Sequence, residues 1–238
     1  VPRNLKPAQV ELRRYASAKR AEVCARFFKT GPGEYGFGDI FIGVTVPDTR
    51  VVSRKYLHID FNEISEILDS EIHEDRLLGL LVVVEKYKKA RTEPEKTKIL
   101  RFYLNHRDRI NNWDLVDVTV HKVLGEYAWE FSDLKQIEKL SNSKRHWDKR
   151  MAMISTFAFI RRGKVDLAFK LAKKFLGESE DLMHKATGWM LREAGKKDAK
   201  RLRDFVQTYG KKMPRTMLRY AIEKFPETER KKVLLKTK

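Results

Sequence analysis

Apolar residues recur every three to four positions along nearly the whole chain. Leu77, Leu80, Leu81 and Val84 form one such set, Trp147, Met151, Ile154 and Ala158 a second, and Leu167, Leu171 and Phe175 a third. That period lays each set along one stripe of an α-helix, whereas the alternation expected of a half-buried strand is hardly seen. Turn residues interrupt the pattern at short intervals, in "TEPEK", "INNWD", "SNSK", "RRGK", "GESED" and "KMPR". The pattern predicts an all-α protein of roughly eleven or twelve helices.

The helices also repeat. "DKRMAMISTF" from Asp148 and "HKATGWMLRE" from His184 lie 36 residues apart, and each precedes a basic turn containing glycine, "RRGK" and "EAGKK". "NNWDLVDVTV" and "RHWDKRMAMI" share a "WD" at an offset of 34. Spacings of this size suit stacked helix pairs of the HEAT type, which build a curved superhelix with a concave face. The internal identity is weak, so a plain helical bundle also fits. One segment departs from the pattern: "GPGEYGFGDIFIGVTVPDTR", residues 31–50, reads as an ordered loop reaching across the helices. It lacks the "GK[ST]" or strand–GxGxxG–helix context of a phosphate-cradling loop. With no linker in evidence, residues 1–238 are expected to form a single domain.

Charge narrows the partner. The chain carries 51 Lys and Arg against 33 Asp and Glu, a formal net charge of +18. Such an excess attracts polyanions through phosphate contacts and counterion release, which makes nucleic acid the leading partner class and leaves an acidic protein partner as the alternative. The single Cys24 allows no intrachain disulfide, and the six histidines are scattered without zinc spacing, so no metal site is expected. The first residues lack a secretory h-region, and no uncharged run is long enough to span a bilayer. A reducing, cytoplasmic setting is the expectation.

In so basic a chain, "NNWDLVD" concentrates two carboxylates and a tryptophan. As a helix start it places Trp113, Asp114 and Asp117 on one side. Asp114, early in the helix, suits the positive end of the helix dipole. By itself Asp117 reads as an ordinary helix carboxylate or a partner for His121, four residues on. Trp147 and Trp129 read as core. Arg150, within "SKRHWDKR", reads as part of a solvated charge run.

Four motifs in order, "GPGEYGFGDIFIGVTVPDTR", "NNWDLVD", "WDKRMAMISTFAFI" and "KATGWMLREAGK", resemble the DNA alkylation repair enzymes of the AlkD type, which are alkylpurine DNA glycosylases built from HEAT-like repeats. The resemblance runs from about residue 10 to about residue 225. It implies a concave basic groove, a double-stranded DNA partner containing alkylated purines, hydrolysis of the N-glycosidic bond without metal or organic cofactor, and action as a monomer on nucleoid DNA. Asp117 falls at the catalytic carboxylate and Trp113 at the aromatic before it. Arg150 matches a DNA-binding arginine, Trp189 the second aromatic, and Arg192 a further backbone contact. Some relatives carry an aromatic where this chain has Asn112, a departure that bears on lesion preference more than on catalysis. Two other readings stay open: a helical-repeat scaffold that binds DNA structures or an acidic partner without chemistry, and RNA binding.

Overall fold

The computed structural model describes residues 5–237. No strand occurs among them, and the only ladder contact is an isolated parallel bridge between Ile40 and Ile72. The chain divides into two compact units, residues 1–119 and 120–238.

The first unit contains α1 (Pro7–Arg13), α2 (Ala18–Phe27), α3 (Val46–Lys55), α4 (Phe61–Leu68), α5 (His73–Lys89), α6 (Glu93–Asn105) and α7 (Trp113–Val120). Its core is α5, which α3, α4 and α6 pack against. The Leu77–Leu81 stripe is buried, and so are Leu78, Val82 and Val83 on the opposite side. A helix covered all round shows no polar face. Each Leu or Val enclosed in this way contributes about 1.5–3 kcal/mol of transfer free energy. The N-terminal turn of α5 is buried too, and it carries four polar residues, His73, Glu74, Asp75 and Arg76.

Those polar residues explain the irregular segment. Glu74 accepts hydrogen bonds from the backbone N–H groups of Ile42, Gly43 and Val44, the shortest at 2.7 Å from Gly43. Gly43 has φ +74°, and a Cβ there would sit 2.3 Å from the Ser17 carbonyl oxygen. Only glycine fits that crossing of two backbones. The segment ends earlier than the sequence suggests, because α3 begins at Val46. Thr45 accepts from the Asp48 N–H, and Pro47 lies in the first turn, where its missing N–H costs nothing. "VPDTR" is therefore a helix start, and the loop covers residues up to 45.

The second unit contains a π-helical turn (His121–Gly125), then α8 (Glu126–Glu130), α9 (Lys135–Ser141), α10 (His146–Ser155), α11 (Phe157–Ile160), α12 (Asp166–Lys174), α13 (Asp181–Gly195), α14 (Ala199–Tyr209), α15 (Arg215–Ala221) and α16 (Glu227–Lys236). Repetition is visible here. Helices α10, α13 and α15 begin 35 and 34 residues apart, and each packs on the next, while α9 packs on α10 and both α12 and α14 pack on α13. This arrangement is that of helical repeats. Gly188 makes one of these contacts possible: a Cβ on it would lie 2.5 Å from the Met217 carbonyl oxygen of α15. Trp147, Met151, Ile154 and Ala158 are buried as their spacing predicts. Trp129, expected in the core, is only half-buried, edge-on to Phe159 with the Arg162 guanidinium over its ring.

Candidate DNA-repair site

Helix α7 is fixed at both ends. Near its C-terminus, the buried Tyr103 hydroxyl donates to Thr119 Oγ1 at 2.7 Å, and Thr119 in turn donates to the Leu115 carbonyl. At its N-terminus stands a chain of charges. Asn112, fully buried, accepts from the Trp113 N–H at 2.8 Å and donates through Nδ2 to Asp39 at 2.9 Å. Asp39 also accepts from Arg76 and from His73 Nδ1, and the opposite imidazole nitrogen, Nε2, lies 2.8 Å from Asp114 Oδ2. The remaining oxygen of Asp114 accepts from the Leu115 N–H. Asp114 thus meets the helix N-terminus, as its position predicts, but as a buried group rather than an exposed one.

Carboxylates on both sides determine the state of His73. Burial opposes its charge, but Asp114 and then Asp39 raise its pKa to about 9. Burial also pushes Asp39 upward, and His73, Arg76 and Asn112 together hold it below the usual carboxylate value. Two acids and two bases balance within the cluster.

Trp113 rests on this foundation. Its ring stacks on Phe28, with centroids 5.1 Å apart and planes at 15°, and meets Phe27 edge-on at 5.9 Å. Phe28 stacks in turn on Phe41 at 4.9 Å, and both Phe28 and Phe41 contact the His73 ring. The irregular segment thus supplies Phe41 to a layered aromatic wall, with the half-buried Trp113 at one side and the exposed Phe27 beside it. Asp117, also half-buried, lies one turn along α7 from Trp113.

The other predicted residues lie in the second unit. Trp189, on α13, is half-buried and approaches Phe157 at 6.1 Å; Phe157 stacks on His121 at 5.4 Å and 13°. Arg161 stands over the outer part of the same group, 5.5 Å from the Phe157 centroid. Burial, then Lys122 and Arg161, depress the His121 pKa to about 3, so this imidazole is neutral. Arg150 is not the solvated charge its neighbours suggest: it is 4% exposed, and Nη1 donates to the Leu182 carbonyl. Arg192 is engaged by Glu223 and, at 3.4 Å, by Glu193. Among the bases at the repeat ends, Lys149 is paired with Glu178, Arg162 with Glu126 and Lys196 with Glu193, while Lys144, Lys197 and Lys212 are exposed.

Sequence reasoning missed Phe28, Phe41, His73 and Asp39. Only Asn112 gave a signal, by standing where an aromatic was expected. No three His, Cys, Asp or Glu side chains among the described residues group as a metal site requires, and no helix among them is long and apolar enough to cross a membrane.

Comparison with known proteins bears on this arrangement. Among solved structures, a protein described as a predicted DNA alkylation repair enzyme from Enterococcus faecalis superposes with a TM-score of 0.70 at 14% identity, over 89% of this chain and 97% of that one. At that identity the likeness speaks for the fold. No curated protein matches the chain. The family model for DNA alkylation repair enzymes matches residues 8–225, a span that includes the aromatic wall, α7 and the repeats of the second unit. On that match, the chain belongs to the DNA alkylation repair enzyme family.

Proposed function

We propose that the protein is a DNA glycosylase that removes cationic N3- and N7-alkylated purines, such as 3-methyladenine and 7-methylguanine, from duplex DNA. The observation that carries the reading is the different burial of the two carboxylates on α7. Asp114 is buried against His73 and the Leu115 N–H, and Asp117 is half-buried one turn along α7 from Trp113, whose ring is held in place by stacking. One carboxylate builds the site and the other works in it.

The chemistry follows from the lesion. An alkyl group on N3 or N7 gives the purine a positive charge, so the base departs with the glycosidic electron pair as a neutral molecule and needs little protonation. Positive charge then develops on the sugar, and a carboxylate facing it stabilises that charge. Asp117 takes this role, orients the water that adds to C1′ and accepts the proton that this water releases, leaving an abasic site. Trp113 packs against the deoxyribose edge and attracts its developing charge through the ring face. The resemblance gives Trp189 a sugar-contacting role and Arg150 and Arg192 roles on the DNA backbone. Each adds to the protein contacts these side chains already make. The exposed lysines at the repeat ends supply sequence-independent attraction to the duplex.

The resemblance implies a lesion left largely stacked, with its sugar and backbone engaged from outside, in contrast to the closed pocket of base-flipping glycosylases. Excision rates for adducts of increasing size but equal leaving-group stability test this part. Comparable rates are expected, and a steep fall with size points to a closed pocket instead. The whole reading is tested by incubating wild-type protein with methylated duplex DNA. Release of free 3-methyladenine and 7-methylguanine is expected. Tight duplex binding with no release favours the alternative, a scaffold without chemistry.

A further inference from the structure

We propose that His73 is a positioning residue for the site on α7: as an imidazolium it bridges Asp39 and Asp114 and so fixes the helix start that presents Trp113 and Asp117. The inference rests on the proposed excision activity for its kinetic consequence, but its structural content stands apart from it.

The geometry carries the argument. Both imidazole nitrogens face carboxylate oxygens, at 3.1 Å to Asp39 and 2.8 Å to Asp114, and only the doubly protonated ring donates to both. Asp39 reaches Asn112, whose carbonyl oxygen holds the Trp113 N–H, and Asp114 holds the Leu115 N–H. The backbone on both sides of Asp114 is therefore tied to one imidazole. The same ring packs on Phe28 and Phe41, and Phe28 is the surface on which Trp113 stacks. Loss of the proton removes one of the two bonds and leaves a buried carboxylate short of a donor, which costs more than an ordinary hydrogen bond contributes. The helix start and the aromatic wall relax together.

Charged and titratable groups approach the ring from every side. Asp39 comes from the irregular segment and Asp114 from α7, while Arg76 and Glu74 lie on the ring's own helix. Cys24 of α2 also lies within the influence of Asp114 and Glu74. Arg76 is bonded to Asp39, and Glu74 is taken up by the 42–44 amides. Between neutral and alkaline pH the His73 ring changes charge, its pKa being raised to about 9, whereas burial holds the Cys24 thiol above its usual value.

The test labels the tryptophans with 5-fluorotryptophan and assigns the Trp113 fluorine resonance by Trp113→Phe. In the wild type this resonance is expected to move as the pH rises from neutral to about pH 10, while in His73→Gln it is displaced already at neutral pH and no longer titrates. Asp39→Asn, which removes a different member of the chain, provides a second variant if His73→Gln does not fold. A Trp113 resonance that is flat with pH and unmoved in the folded variant overturns the positioning role, whatever the excision assay gives. Single-turnover release of 3-methyladenine is measured in parallel. A fall of about tenfold or more is expected for His73→Gln, with duplex affinity within about twofold of wild type, since small misplacements of a reacting constellation are costly. A wild-type rate in a variant whose Trp113 resonance has moved overturns the link to the reaction. Absence of release from wild type counts against the glycosylase reading and leaves the fluorine result standing.

Discussion

Replacing His121 with phenylalanine should remove an acid-sensitive weakness from the second unit. His121 is 7% exposed, stacks on Phe157, and its Nδ1 makes no hydrogen bond. Its pKa lies near 3 in the folded protein against 6.5 when unperturbed, because burial and then the Lys122 and Arg161 charges disfavour the imidazolium. A folded pKa below the unfolded one means that the unfolded chain binds the proton more readily. The stability that the neutral ring supports is complete above about pH 6.5 and is lost as the pH falls from there towards the folded pKa. At pH 5 the loss is about 2 kcal/mol, and it grows to on the order of 5 kcal/mol near pH 3. Urea unfolding at pH 7.5 and pH 5, followed for wild type and His121→Phe, isolates this contribution, because the carboxylates contribute equally to both proteins. The wild type should lose about 2 kcal/mol more than the variant between the two conditions. Parallel losses would refute the reasoning and show that the ring charges in the folded state without penalty.

Three other outcomes follow. Glu74→Gln replaces an acceptor shared by three backbone amides with one weaker oxygen and an NH2 that points a donor at donors; a loss of about 2–3 kcal/mol is expected by chemical denaturation, with faster hydrogen exchange at Ile42–Val44. Gly188→Val places side-chain atoms against the Met217 carbonyl and Tyr220, and should lower the melting temperature by several degrees, consistent with a cost of about 1–3 kcal/mol or more. The triple variant Lys144→Ala, Lys197→Ala, Lys212→Ala should bind every duplex sequence more weakly and reduce the slope of log K against log salt by about 0.9 for each lysine that contacts phosphate. Equal salt slopes would remove these lysines from the DNA-binding surface.

The helices and the repeat were legible in the sequence because both are local or periodic. Spacing alone located the buried stripes of α5, α10 and α12, and the 36-residue offset corresponds to the 35-residue step from α10 to α13, while the 34-residue offset of the two "WD" pairs matches helix starts 33 residues apart, at Trp113 and His146. What went unread depends on distant partners. His73 meets Asp39 and Asp114 across 34 and 41 positions, and no local rule connects them. The composition of "SKRHWDKR" suggests solvent exposure for Arg150, yet Leu182, 32 positions away, receives its guanidinium. Gly and Pro together made residues 31–50 look like one loop, although Pro47 is a helix-start residue and only the stretch before Val46 is irregular. The helix expected around "NNWDLVD" is present, and the pairing of Trp113 with Asp117 could be read from it. The aromatic wall behind Trp113 could not, because it is assembled from α2 and the loop.

The central claim is that Asp117 performs chemistry that Asp114 does not. It is tested most directly by single-turnover release of 3-methyladenine and 7-methylguanine from methylated duplex DNA by wild type and Asp117→Asn, with duplex affinity measured on the same samples. The account predicts release by the wild type and a loss of at least about a hundredfold in the variant at unchanged affinity. Release by Asp117→Asn at the wild-type rate would contradict it.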